Sequence, residues 1–119
     1  MRPAPSKPVA TRFGMAWRLR DLRGMESACG KAERVDPHGL ETGLMRVRFL
    51  SSAGRMAEAR ARFARLSEIW PDHVDVWLER ARLAGLEGRP GEARAALTRI
   101  IRSYPGHAAA RKMLENMAR

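Results

Sequence analysis

The residues of this chain that could do chemistry are arginines set at a regular spacing beside leucines. Arg48 and Arg82 lie 34 residues apart, and each comes four residues after a leucine, Leu44 and Leu78 respectively. A guanidinium group can hold a carboxylate through two parallel hydrogen bonds, and a leucine one helical turn away adds apolar contact. The spacing therefore indicates a surface that binds an acidic or carboxylate-bearing segment with an apolar side.

No arrangement of residues in the sequence predicts catalysis. The chain has no glycine-rich phosphate loop, no nucleophile motif and no paired carboxylates. His38, His73 and His107 follow successive prolines, which places them one repeat apart, whereas ligands of a single zinc lie about 2 Å from the metal. Cys29 recurs where the same period puts Phe63, so it is predicted to be a buried core residue. We expect a protein that is not an enzyme and has no metal or cofactor.

A 34-residue period extends over almost the whole chain. Pro37, Pro71 and Pro105 follow it, as do Gly54 and Gly88. On either side of each glycine, apolar residues recur at spacings of three and four, which is typical of amphipathic helices joined by a turn. A strict period of roughly 20–50 residues marks a solenoid, in which each unit buries its apolar face against its neighbours. The sequence thus predicts an all-α fold of helical hairpins.

This pattern resembles the tetratricopeptide repeat, a helix–turn–helix unit of about 34 residues. The match rests on turn glycines, tight-packing alanines, core apolar residues and closing prolines: Trp77, Ala81, Gly88, Ala93, Leu97, Ile100 and Pro105 in the best unit, and Val47, Leu50, Gly54, Ala59, Phe63, Leu66 and Pro71 in the unit before it. Arg12, Arg46 and Arg80 stand where the family usually has leucine, and their stems are expected to lie along apolar surface.

The resemblance implies a right-handed α-solenoid with turns near 21–24, 53–56 and 87–90. The expected organisation is a proline-rich extension at 1–8 and a repeat domain at 9–119. Within that domain the repeats span about 6–39, 40–73 and 74–107, and a capping helix spans 108–119.

The resemblance also implies protein binding in a concave groove made by the first helix of each hairpin. The predicted groove residues are Trp17, Leu44, Arg48, Leu78, Arg82, Lys112 and Asn116. Arg48, Arg82 and Lys112 would form a ladder of cations for an acidic partner segment. Replacing Arg48 and Arg82 together by glutamate is then expected to abolish binding and to leave the fold intact. The alternative is that the arginines are solvated and paired with nearby carboxylates. The candidates for such pairing are Glu41, Asp75 and Glu79.

The charge and the aromatic content of the chain indicate which class of partner it binds. The 119 residues carry a net charge of +10, from 23 basic and 13 acidic residues, and the excess is spread along the chain. Such an excess can attract nucleic acid, but aromatic residues that could stack on bases make up only 6% of the chain. We therefore predict a non-catalytic adaptor or scaffold that binds a protein or peptide partner. The alternatives are a secretion or assembly chaperone, a basic nucleic-acid-binding repeat protein and a subunit of an enzyme complex.

The sequence contains no apolar run long enough for a secretory signal or a membrane span, and its one cysteine cannot form an internal disulfide. We therefore expect a cytoplasmic protein. The preference for alanine and arginine over lysine is typical of a GC-rich genome, and we expect a bacterial source.

Overall fold

The computed structural model describes the backbone of residues 6–118 and the side chains of residues 21–118. The described chain forms six helices: α1 (Ser6–Val35), α2 (Leu40–Ser52), α3 (Met56–Ile69), α4 (Val74–Leu86), α5 (Pro90–Ser103) and α6 (Ala108–Met117). Over these residues there is no strand, so the predicted all-α class is confirmed. No described helix combines the length and the apolar character that a membrane span requires.

The two hairpins, α2–α3 and α4–α5, turn at the predicted glycines. Gly54 has a φ of 79° and Gly88 a φ of 71°, a left-handed conformation that glycine adopts without steric cost. The residue after each glycine closes the end of the preceding helix. The amide of Arg55 donates to the carbonyl of Leu50 at 2.8 Å, as the amide of Arg89 does to Ala84 at the same distance. The turns of the two repeats therefore have the same conformation, because each repeat has a glycine at the same position.

The first predicted turn is wrong, because α1 continues through residues 21–24 as part of a 30-residue helix. The residue 34 positions before Gly54 is Arg20, and a residue with a Cβ disfavours the left-handed conformation that this turn requires. Gly24 is nearby but lies within the helix. The N-terminal stretch is therefore a single long helix where a hairpin was expected.

Small residues let the paired helices approach closely. Ala59 in α3 and Ala93 in α5 are buried, as predicted. Cys29 is also buried, and this burial raises the pKa of its thiol. The predicted core role of these three residues is confirmed.

The apolar residues form two core clusters, and α4 contributes to both. The first core cluster comprises Cys29, Val47, Phe49, Leu50, Ala59, Phe63, Leu66, Val76 and Leu83. The second core cluster comprises Ala81, Ala96, Leu97, Ile100 and Ala110. Since Val76 and Leu83 belong to the first cluster and Ala81 to the second, α4 joins the two halves of the repeat array.

The arginines at the unusual repeat position lie along aromatic surface. The guanidinium carbon of Arg80 lies 5.2 Å from the ring centroid of Phe63 and 4.8 Å from that of Trp77. Arg46 lies 5.5 Å from the Phe49 centroid. Guanidinium groups are planar and weakly hydrated, so they stack well on rings. The expectation that these stems cover apolar surface is confirmed for Arg46 and Arg80, while Arg12 lies outside the residues whose side chains are described.

Candidate functional site

The predicted groove residues with described side chains lie on α2, α4 and α6. We refer to this surface as the α2–α4–α6 face. It is defined by Leu44, Arg48, Leu78, Arg82, Lys112 and Asn116. Arg48 and Arg82 are joined through Glu79, and Arg82 and Asn116 line one pocket, so these three predicted residues lie close together. The seventh predicted residue, Trp17, lies outside the residues whose side chains are described.

A buried carboxylate links the two arginines of this face. Glu79 of α4 is only 1% exposed. Arg48 donates from Nε to Glu79 Oε1 at 3.2 Å, and Arg82 donates from Nε to Oε2 at 2.8 Å. The Nη2 of Arg82 also donates to Glu79 Oε2, and it donates to Ser51 Oγ at 2.8 Å. A buried charge is costly unless it is paired and hydrogen-bonded, and two guanidinium groups from successive repeats meet that requirement here.

The arginines therefore have a structural partner, and they differ in what they leave open to solvent. The side chain of Arg82 is 29% exposed, whereas that of Arg48 is 57% exposed. Arg48 uses one N–H group on Glu79, so its remaining donors face no carboxylate among the described residues. Of the two sequence interpretations, pairing with Glu79 is observed for both arginines, while Arg48 keeps donors that a ligand could use.

The other members of the face divide into half-buried and exposed residues. Leu44 packs against the first core cluster and Leu78 against the second. Lys112 and Asn116 are exposed and stand one turn apart on α6. Lys112 has no ion pair with any described residue. It therefore presents an unneutralised charge beside the end of the repeat array.

A mostly apolar pocket of about 470 Å³ opens where α6 meets the α4–α5 hairpin. Its lining includes Arg82, Leu86, Arg94, Met113, Asn116 and Met117. Leu86 is 58% exposed, and Arg94 is exposed with no ion pair among the described residues. The pocket thus brings two predicted residues, Arg82 and Asn116, next to apolar side chains. Its size is within the range of small ligand sites, about 300–1,000 Å³.

Sequence reasoning placed Glu79 only among possible partners and did not single out Leu86 or Arg94. Leu86 could have been found, because it stands four residues after Arg82 on the same helical face. The burial of Glu79 has no such local signal. It depends on how α2 packs beside α4, which the pattern of one helix does not encode.

The histidines serve as helix starts where the structure gives them contacts. His73 Nδ1 accepts a hydrogen bond from the amide of Asp75 at 3.1 Å, and His107 Nδ1 accepts one from the amide of Ala110 at 3.2 Å. Both residues therefore cap the helices that follow them. No group of His, Cys, Asp and Glu side chains within residues 21–118 could hold a metal ion.

Comparison with known proteins gives one positive finding. The family model described as the tetratricopeptide repeat matches residues 50–117, which extend from the end of α2 through α6. No curated protein sequence matches the chain.

Proposed function

Because this chain belongs to the tetratricopeptide repeat family, whose repeats generally mediate protein–protein interaction, we propose that it is a non-catalytic adaptor. Its ligand is a segment of a partner protein, bound on the α2–α4–α6 face. The observation that carries the proposal is the apolar pocket lined by Arg82 and the exposed cation Arg94. Lys112 is exposed on α6, one turn before Asn116 of the same lining. An assembly or secretion chaperone would use the same face and differ only in the fate of its partner.

The chemistry of the face favours an amphipathic, acidic segment. One apolar side chain of the partner would enter the pocket and cover Leu86, which is now exposed to water. Carboxylates beside that side chain would meet Arg94 and Lys112 and the open donors of Arg48. Charge-assisted hydrogen bonds of this kind give register and specificity to a helix or strand lying along the face.

The test begins with affinity purification of the partner and continues with the purified pair. Leu86→Ser and Lys112→Glu, made together, remove the exposed apolar contact and one free cation without touching Glu79. We expect the dissociation constant to rise by about tenfold or more, which corresponds to a loss of about 1.4 kcal/mol. Tyr104→Ser is the matched control, because Tyr104 is similarly exposed, at 54%, and lies outside the face. Equal binding by wild type and the double variant would place the partner on another surface.

The structure changes one expectation from the sequence, that Arg48 and Arg82 can both be reversed to glutamate without harm to the fold. Either reversal places a second carboxylate beside the buried Glu79. We expect Arg82→Glu to lower the free energy of unfolding by about 3–5 kcal/mol, the cost of an uncompensated buried charge. Urea denaturation of this variant, compared with Lys112→Glu on the same face, measures the effect. Similar stability of the two variants would contradict the burial of Glu79.

A further inference from the structure

Trp77 in α4 is held by groups from its own repeat and from the turn that precedes it. Its Nε1 donates to the carbonyl of Pro71 at 3.0 Å. The guanidinium carbon of Arg99 lies 3.9 Å from the centroid of the Trp77 rings, within the range of a cation–π contact. Trp77 and Ile100 both pack in the second core cluster. The indole thus has an acceptor for its N–H, a cation on its face and an aliphatic neighbour.

The same supporting groups recur 34 residues earlier around a residue that has no side chain. The counterparts of Pro71, Arg99 and Ile100 are Pro37, Arg65 and Leu66, whereas the counterpart of Trp77 is Gly43. At this place the structure has a cavity of about 330 Å³. Its lining includes Pro37, Gly43, Arg65, Leu66 and Ile69. The second repeat and the turn before it therefore keep the surroundings of a tryptophan and lack the tryptophan.

We propose that this cavity is a docking site for a tryptophan side chain carried by a partner protein. The indole would lie against Arg65 as Trp77 lies against Arg99, with its N–H directed to the carbonyl of Pro37. Ile69, which is 58% exposed at the edge of the cavity, would be covered. The cavity volume is at the lower end of ligand sites, about 300–1,000 Å³, and suits one large side chain.

The chain fills only part of the space that Gly43 leaves. Leu66 leans towards the glycine, since its Cδ1 would lie 2.6 Å from a Cβ built at position 43. Arg46, the counterpart of Arg80, is turned away and donates to both carboxylate oxygens of Glu33, at 2.9 and 2.6 Å. It is therefore held by Glu33 and is not among the residues that line the cavity.

The walls favour tryptophan over other side chains. Arg65 lines the cavity and forms no ion pair with a described residue, so it attracts the electron-rich face of an aromatic ring and repels a cationic side chain. Arg62 also lines the cavity, but it pairs with Glu33 at 3.7 Å. The carbonyl of Pro37 offers a hydrogen bond that tryptophan can satisfy and phenylalanine cannot. The combination of a large apolar ring and one N–H donor is that of indole.

This docking site is separate from the α2–α4–α6 face. It lies between the α1–α2 turn and the C-terminal end of α3, and it shares no lining residue with the pocket beside Arg82. Because the two surfaces use different residues, a failure to bind indole at this site would not contradict partner binding on the α2–α4–α6 face. A partner with both features would contact the repeat array at two places.

The test is a titration of the full ¹⁵N-labelled chain with N-acetyl-tryptophanamide, followed by NMR. We expect saturable shifts, in the millimolar range of a single side chain, at the amides of Gly39, Gly43, Leu66 and Ile69. N-acetyl-leucinamide, which has neither ring nor N–H donor in its side chain, should not produce them. No saturable shift at these amides, or equal shifts with the leucine probe, would overturn the proposal.

Two variants complete the experiment. The double variant Gly43→Trp/Leu66→Ile copies the third repeat and fills the cavity from within, so it should abolish the shifts and keep the helical circular dichroism of wild type. Arg65→Ala does not touch the core and should weaken binding by about two- to fivefold, as expected for an exposed cation–π contact. Arg102→Ala, which removes an exposed arginine elsewhere, should leave binding unchanged.

Three further outcomes count against the proposal. If Arg65→Ala binds the probe as wild type does, the indole does not lie against Arg65 as Trp77 lies against Arg99. If the filled variant folds and still shows the shifts, the probe binds elsewhere. If the same amides shift with protein concentration alone, a second copy of the chain occupies the cavity and the partner is not another protein.

Discussion

Several arginines of this chain pack against aromatic rings and also form ion pairs within the fold. Arg46 binds Glu33 through two hydrogen bonds while lying near the Phe49 ring. Arg99 lies over Trp77 and also contacts Asp72 at 3.2 Å. The net charge of +10 therefore overstates the charge available to a ligand, because several guanidinium groups are engaged within the fold.

The Arg46–Glu33 pair should make stability depend on pH in the acid range. The hydrogen bond from Arg46 lowers the pKa of Glu33 below its ordinary value of 4.5. A carboxyl whose pKa is lower in the folded state contributes fully above its unfolded pKa and loses that contribution as pH falls through the folded value. We expect the melting temperature of wild type to fall more steeply below about pH 4.5 than that of Glu33→Gln.

The measurement is a series of thermal melts from neutral to acid pH. Glu68→Gln is the control, because Glu68 is exposed and forms no ion pair among the described residues. It should follow the wild-type curve. Parallel acid limbs for wild type and Glu33→Gln would show that the pair does not contribute to stability.

At the scale of elements, each hairpin depends on a small residue where its two helices meet. Ala59 and Ala93 stand at the same repeat position and have almost no exposed surface. Interiors are packed at crystal density, so they have no room for added side-chain atoms without movement of a helix. The hairpins are therefore more sensitive to added volume at these positions than to added charge on their outer faces.

Ala93→Leu should lower the free energy of unfolding by about 1–3 kcal/mol, because it overpacks the contact between α4 and α5. Ala95→Leu is the matched control: it adds the same volume to the same helix at an exposed position. Urea denaturation followed by circular dichroism gives both values. Equal midpoints for the two variants would show that Ala93 does not lie at the helix contact.

The helices and turns that could be predicted from the sequence are those determined by residues close to them in the chain. A turn glycine, a tight-packing alanine and a closing proline each act within a few residues, so the α2–α3 and α4–α5 hairpins follow from the sequence. The turn at 21–24 was predicted from the period alone, although Arg20 occupies the position where the turn needs glycine. The hydrogen bonds of Glu79 with Arg48 and Arg82 could not be predicted, because the contact with Arg48 forms only when α2 and α4 lie side by side.

At the scale of the whole molecule, two aromatic residues of the repeat array are covered, while Trp70 and Tyr104 stay partly exposed. Phe63 is buried in the first core cluster, and Trp77 has guanidinium groups on its face. Binding of single-stranded nucleic acid requires free rings for stacking together with a basic track. The fold therefore offers a basic surface without these two stacking platforms.

We expect association with nucleic acid to be weak, independent of sequence and lost with salt. A fluorescent single-stranded RNA of mixed sequence should bind at low ionic strength, and its affinity should fall steeply towards physiological salt, as counterion release requires. Fluorescence anisotropy at several salt concentrations measures this. Tight binding that persists at physiological salt would favour the nucleic-acid-binding alternative over the adaptor.

The position of α4 in both core clusters has a consequence for the order of folding. The α4–α5 hairpin is closed by contacts between residues near in sequence, and such contacts form quickly because the loop to be closed is short. In the isolated α4–α5 hairpin, Val76 and Leu83 would be exposed, because their partners in the first core cluster lie outside that hairpin. The α2–α3 hairpin is closed by an equally short turn, so either hairpin can form first, and α4 is the element through which the two then join.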